Sequence, residues 1–145
     1  MDSIPLTAQR LKCVIVTPER AVLDETADFV ALTMLDGELG VAPGRAPLIG
    51  RLGFGELRTV QGQTVSRYYI DGGFAQVLNN VVTVLTPDAQ PAGAVSLAAA
   101  EEALKAAHKL ALTPEDQQAQ AIAQEKARAK IHIAQKPEIG STGPR

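Results

Sequence analysis

The chain is 145 residues long, carries a formal net charge of −2, and is 46% apolar but only 3% aromatic, with no tryptophan. A chain of this length suits one domain, or one with a short appendage, and buries roughly two-thirds of its unfolded surface, so a core of Val, Leu, Ile and Ala needs no staples. The balance of charge excludes the electrostatic footprint of a nucleic-acid binder, no polybasic run suggests a lipid surface, and no apolar run approaches the ~18–20 residues of a membrane span.

The opening residues, Met1 to Lys12, lack the charged start and apolar stretch of a signal peptide and read as too acidic and short for a transit peptide. Any work at a membrane is therefore expected to pass through a protein partner. The single cysteine, Cys13, cannot form an internal disulfide, which fits a reduced, cytosol-facing setting. It lies inside the apolar run Leu11 to Val16 and is expected to be a small buried hydrophobe rather than a reactive thiol.

From residue 11 to residue 89, short runs rich in Val, Ile and Thr alternate with Gly, Pro and Asp clusters, the grammar of strands and turns. The strand candidates are Leu11–Val16, Ala21–Val30, Ala31–Leu35, Gly40–Ala42, Gly55–Val60, Thr64–Tyr69, Gly73–Leu78 and Val81–Leu85. Short strands with such frequent turns predict a sandwich. Asp24, Glu25 and Asp28 are placed in a solvated turn between strands. Asp71-Gly72-Gly73 reads as a turn that demands positive φ, in preference to a metal or phosphate loop. Asn79-Asn80 reads as a two-residue hairpin turn, because Asn tolerates positive φ. The glycine- and proline-rich stretch Asp36 to Leu48, DGELGVAPGRAPL, is built to hold a defined, non-repetitive backbone path. On its residues alone it is either a complex sandwich corner or an exposed contact loop.

At Pro87 to Gly93 the sequence PDAQPAG is a breaker cluster that reads as a linker. Ala then dominates. Leu97, Ala100, Leu104, Ala107 and Ala111 recur at helical spacing over residues 97–112, with Ser96 as N-cap and Glu101–Lys105 as an i, i+4 pair. Thr113-Pro114-Glu115-Asp116 opens a second helix, with a capping Thr, Pro at the first helical position and acids in the positive first turn. It is expected to reach about Ala134, with Ala119, Ala123, Ala127 and Ile131 as a thin stripe. Stripes of methyl groups let two helices approach closely but bury little area at ~25 cal/mol per Å². The hairpin is therefore expected to be the looser part, able to swing away from its partner surface. This divides the chain into a sandwich at 1–89, a helical hairpin at 90–136 and a disordered tail at 137–145.

No catalytic constellation emerges. The two histidines, His108 and His132, lack a third ligand and make a poor metal site. No serine sits in a nucleophile elbow, and no glycine loop ends in Lys-Ser or Lys-Thr to cradle a phosphate. No catalytic residue, metal or cofactor is assigned.

Four segments in order, VTPER (Val16 to Arg20), DGELGVAPGRAPL (Asp36 to Leu48), GELR (Gly55 to Arg58) and YYIDGGFAQVLNNVVTVLTPDA (Tyr68 to Ala89), strongly resemble the epsilon subunit of F-type ATP synthases. The resemblance covers nearly the whole sandwich. It implies an N-terminal β-sandwich of about ten strands followed by two antiparallel helices. It also implies a non-catalytic rotor subunit that couples the gamma subunit to the c-ring during proton-driven ATP synthesis. By match to the family motif, Gly37, Glu38, Arg45, Ala46 and Pro47 would lie at the c-ring and gamma contacts, with Glu38 and Arg45 as the charged positions. The hairpin would inhibit ATP hydrolysis by extending along gamma, its basic second helix (Lys126, Arg128, Lys130) meeting an acidic stretch on the catalytic alpha and beta subunits. Lys126, Arg128, Lys130 and Lys136 against Glu125 give that region a local balance of +3, although basic residues near a helix C-terminus also complement its dipole. The setting implied is peripheral, on the cytoplasmic face of a bacterial inner membrane, touching the bilayer only through the c-ring.

Some members of the family bind ATP through an Asp and an Arg at the start of the first helix. The matching positions here run from Val95 to Ala100 and hold neither, so weak or absent ATP binding is expected. Two other readings compete: a free-standing sandwich adaptor that binds through Asp36 to Leu48, and a small hydrolase on a sandwich.

Overall fold

A computed structural model describes residues 10–109 and 111–136. The expected disordered tail at 137–145 lies outside the described residues. The strands are β1 (Leu11–Val16), β2 (Ala21–Ala27), β3 (Phe29–Met34), β4 (Gly37–Val41), β5 (Leu48–Gln61), β6 (Thr64–Leu78), β7 (Val81–Leu85) and β8 (Ala89–Pro91), followed by helices α1 (Leu97–Ala106) and α2 (Pro114–Gln135). They pair in the order β2-β1-β7-β6-β5-β3-β4, with β8 joining β6. The pairings are antiparallel except for β1 with β7. The inward faces close on one aliphatic core that includes Leu11, Cys13, Ile15, Leu32, Leu57, Val82 and Val84. This is the expected sandwich followed by a helical hairpin.

Eight strands are described where about ten were expected, because two of them are long: β5 has 14 residues and β6 has 15. The separate candidates Thr64–Tyr69 and Gly73–Leu78 are one strand. Asp71-Gly72-Gly73 does not reverse the chain. Gly72 and Gly73 do take positive φ, +75° and +110°, but inside β6, where they rotate the pleat. Tyr68 and Ile70 face the core before them, and Ala75 and Val77 after them. Because strand side chains alternate, only a local twist of this kind can switch which parity faces inward. A Cβ on Gly73 would collide with the carbonyl oxygen of Leu85.

Three other sequence expectations shift. The supposed linker carries strand β8 and a 3-10 turn at Ala92–Ala94. β8 continues the line of β7 along the same edge of β6, Tyr69 opposite Gln90 as Phe74 is opposite Leu85. Asp24 and Glu25 belong to β2 rather than a turn; β2 ends the strand order, and charges there discourage edge-to-edge pairing. Asp28 does lie between strands, where its carboxylate accepts from Gly62 N (2.7 Å) and pairs with Arg10 (2.9 Å). The Asn79-Asn80 turn is as expected, with φ of 51° and 64°.

Both helices start where their caps place them. Ser96 Oγ accepts from Ala99 N at 3.1 Å, and Thr113 Oγ1 from Asp116 N at 3.0 Å. α1 stops at Ala106 rather than near 112, and Lys105 lies 4.0 Å from Glu102 rather than pairing with Glu101. The free carbonyls beyond α1 are collected by one row of α2 amides: Gln124 Nε2 donates to Ala107 O (2.9 Å), Gln120 to Lys109 O and Gln117 to Ala111 O (3.5 Å). Rising numbers on one side meet falling numbers on the other, so the helices are antiparallel. Among the described residues, no helix is long and apolar enough to cross a membrane.

Candidate functional site

Most of the stretch Asp36 to Leu48 faces outward, while Val41 is buried and Leu39 and Leu48 pack on the core. Its first part is strand β4, paired with β3, and its second part is the connection from β4 to β5. That connection is pinned from two sides: Arg45 N donates to Ala42 O (3.2 Å) and Gly44 N to Asn80 Oδ1 (2.8 Å). The β6–β7 turn therefore fixes the path of a loop far from it in sequence. Gly37, Glu38 and Arg45 come together around a cavity of about 580 Å³ that Leu35, Ile49 and Arg51 also line. Ala46 and Pro47 lie beside it, exposed. Glu38 reaches Arg58 at 3.6 Å but keeps most of its side chain in solvent.

Next to this cavity the sheet presents an uncovered apolar face. Ile49, which lines the cavity, is 74% exposed; Phe74 is 55% and Leu85 53% exposed. They lie on three neighbouring strands, with Phe74 opposite both Arg51 and Leu85. Beyond Phe74 and Leu85 an apolar groove of about 470 Å³ runs against Val16, Pro18 and Pro87. Large apolar side chains gathered on one sheet face are a mark of protein–protein contact.

The other half of the β5–β6 ribbon is covered on both sides. Its inner face meets the sandwich core through Leu57 and Ile70. Its outer face carries Phe54, Glu56 and Arg58 from β5 and Arg67, Tyr69 and Asp71 from β6, and α2 lies over it. Ile133 of α2, 2% exposed, packs with Tyr69, Ala92 and Val95, with Phe54, Ala129 and Ala134 around them. Polar contacts surround this apolar plug. Lys126 sits 3.3 Å from Asp71 and over the Phe54 ring, while Lys130 sits over the Tyr69 ring at 5.1 Å. Lys136 Nζ meets Glu56 Oε1 at 3.2 Å. Tyr69 donates its hydroxyl to Asp71 at 2.8 Å, and burial together with that acid pushes its ionisation up. Arg67, 5% exposed, donates to Glu56 and to the Ile133 carbonyl at 3.0 Å. Burial alone would raise the Glu56 pKa, but the hydrogen bonds and charges of Arg67 and Lys136 outweigh it and hold the carboxyl below its ordinary range.

The proposed basic residues therefore part company. Lys126 and Lys130 turn toward the sandwich, and Arg128 is exposed. The expected α2 stripe is only half right: Ala127 is buried and Ile131 half-buried, but Ala119 and Ala123 are exposed. The contacts that Glu56, Arg67, Lys136, Asn80 and the glutamine row make escaped sequence reasoning. The signal open to it was the 3–4 spacing of Lys126, Lys130, Ile133 and Lys136, a row that mixes cations with one large apolar group.

His108 and His132 are both exposed, and among the described residues no group of three or more His, Cys, Asp or Glu is placed to hold a metal ion. Cys13 is buried, and burial with Glu25 nearby pushes its thiol up to about 12. At the start of α1, a cavity of about 200 Å³ is lined by Val95, Ser96, Ala99, Ala100 and Lys130, with no arginine among the described residues.

Residues 10–92 match the family model described as the ATP synthase Delta/Epsilon chain, beta-sandwich domain. An ATP synthase epsilon chain of Rhodopirellula baltica is 50% identical over 128 residues, covering 86% of this chain and 98% of that one. One from Syntrophobacter fumaroxidans is 38% identical over 133 residues, covering 89% and 98%. In fold, the chain is similar to one in the Euglena gracilis mitochondrial ATP synthase OSCP/F1/c-ring structure, with a TM-score of 0.77 at 22% identity over 88% of this chain and 81% of that one. It is also similar to one in the Tetrahymena thermophila ATP synthase central stalk/c-ring structure, with a TM-score of 0.70 at 14% identity over 87% and 97%. With a family model matching residues 10–92 and relatives 50% and 38% identical over most of the chain, the chain belongs to the ATP synthase epsilon-chain family.

Proposed function

We propose that the sandwich clamps two neighbours of a rotor stalk together while the hairpin regulates the direction of turnover. As an epsilon chain, the protein is a subunit of an ATP synthase and not one of its catalytic chains. The observation that carries the proposal is the outward apolar face of Ile49, Phe74 and Leu85, which runs into the charged cavity at Glu38 and Arg45. One stiff body thus offers two contiguous surfaces of different chemistry. The apolar face suits the gamma subunit. The loop of Gly37, Glu38, Arg45, Ala46 and Pro47 suits the polar rim of the c-ring. Torque passes through a continuous ladder of hydrogen bonds over a packed core, which deforms little.

The hairpin (residues 90–136) works as the separable unit. Extended, it offers Lys126, Arg128 and Lys130 to acidic surface on the catalytic alpha and beta subunits and opposes hydrolysis. Folded, it spends Lys126 and Lys130 on Asp71, Phe54 and Tyr69, so the two dockings exclude each other. The working position is peripheral, at the cytoplasmic face of a bacterial inner membrane, with the bilayer reached only through the c-ring.

Phe74→Glu tests the apolar face. Phe74 is 55% exposed, and covering the exposed part of a ring of ~200 Å² removes ~100 Å² from water, ~2.5 kcal/mol, or roughly 60-fold in affinity. Rebinding of the variant to complexes stripped of this subunit should weaken by at least that factor. Rebinding as tight as the parent chain, with proton pumping restored, would overturn the assignment of the face.

A further inference from the structure

Among the described residues, Arg67 is the only charged residue that is buried. It projects from β6 beneath the C-terminal end of α2. A guanidinium taken out of water must be neutralised and have its donors satisfied. Glu56, on the neighbouring strand, does the first through Arg67 Nε. The second is done by the helix: Nη2 donates to Ile133 O at 3.0 Å and Nη1 to Lys136 O at 3.5 Å. The last carbonyls of an α-helix have no intrahelical partner and carry the negative end of its dipole, so a cation there is stabilising twice over. Arg67 stands opposite Arg58 in the strand register, and Glu56 lies between the two, 3.4 Å from Arg58. Glu56 also receives Lys136 Nζ at 3.2 Å. One carboxylate thus gathers a cation from its own strand, one from β6 and one from the segment that ends α2.

We propose that the Glu56–Arg67 pair is the latch that holds the hairpin down, with Arg67 as a C-cap supplied in trans to α2. It deepens the regulatory reading of the hairpin, yet it is a claim about this chain alone. Arg67 keeps its bonds to Ile133 O and Lys136 O only while α2 is docked, and the α2 carbonyls gain this cap only while Glu56 holds the guanidinium in place. Opening the latch lifts the end of α2 and, with it, releases Lys130 and Lys126 from Tyr69, Phe54 and Asp71. Three lysines are then freed in one event.

The test is hydrogen exchange on the full chain, comparing Arg67→Met, Glu56→Gln and the double variant with the parent. Amides of α2 from Gln124 to Gln135 should exchange at least tenfold faster in each single variant, while those of Cys13, Val82 and Val84 in the core strands stay protected. The double variant should exchange no faster than the quicker single one, because two halves of one latch are lost only once. Exchange in α2 within twofold of the parent, with the core strands still protected, would overturn the latch. Should Arg67→Met also unprotect the core strands, Glu56→Gln decides alone, and unchanged α2 exchange in it overturns the proposal. A faster-opening hairpin that leaves hydrolysis by the assembled complex unchanged would instead sink the regulatory reading and leave the latch standing.

Discussion

Ile133→Ala separates the docking of the hairpin from the stability of the sandwich. Ile133 is 2% exposed and is the one large aliphatic side chain that α2 sets into the pocket of Tyr69, Ala92 and Val95. The substitution deletes carbons worth ~0.8 kcal/mol each, ~2.4 kcal/mol together, and a partly unrelaxed cavity brings the cost to ~3 kcal/mol. Of the ion pairs that α2 and its C-cap make around the plug, Lys126–Asp71 and Lys136–Glu56 keep their lysines partly in solvent, and pairs of that kind contribute ~0–1 kcal/mol each. The apolar plug should therefore dominate, and its loss should raise the undocked population by roughly a hundredfold. The core cluster that includes Leu11, Cys13, Ile15, Val82 and Val84 does not include Ile133. Native-state hydrogen exchange should show α2 amides opening about a hundredfold faster, with core-strand exchange and the urea midpoint of the sandwich held within error. If core strands and α2 lose the same free energy, the two halves unfold as one unit and the separable-arm mechanism is wrong.

Three further outcomes follow from the same geometry. Because Glu56 titrates below its ordinary value, its contribution to docking is complete above the unfolded pKa of ~4.3 and is lost as pH falls through the lower folded value. The groups facing it are Arg58, Arg67, Lys136 and, across the neighbouring cleft, Glu38 and His132. α2 amides should therefore open on acidification below about pH 4.5, ahead of the core strands, and Glu56→Gln should flatten that profile. Cys13, buried with its thiol pushed up to about 12, should resist alkylation at pH 8 in the native chain and react fully in denaturant, as followed by mass spectrometry. ATP should bind the isolated chain weakly or not at all, since among the described residues the cavity at Val95 to Ala100 offers only one cation, Lys130, already placed over Tyr69; micromolar affinity by calorimetric titration would contradict this.

What the residues disclose alone is local. Ser96 and Thr113 start helices wherever they stand, because a cap needs only its own hydroxyl and an amide three residues on. Asn79-Asn80 makes its turn for the same reason, and the motif loop could be marked as special from its glycines and prolines. Sequence alone left that loop between corner and contact surface. Asn80, far from it in number, pins that loop through Gly44 N and leaves it exposed. β8 was hidden because a proline-rich segment becomes a strand only when β6 offers it an edge. The buried face of α2 was misread because its cations dock on Phe54, Tyr69, Asp71 and Glu56, and a charged residue turns inward only where another part of the chain has placed its partner. Capping, turn and propensity act over three or four residues and can be read in order along the chain; burial of a charge depends on a group dozens of residues away, and only the folded structure brings that group within reach.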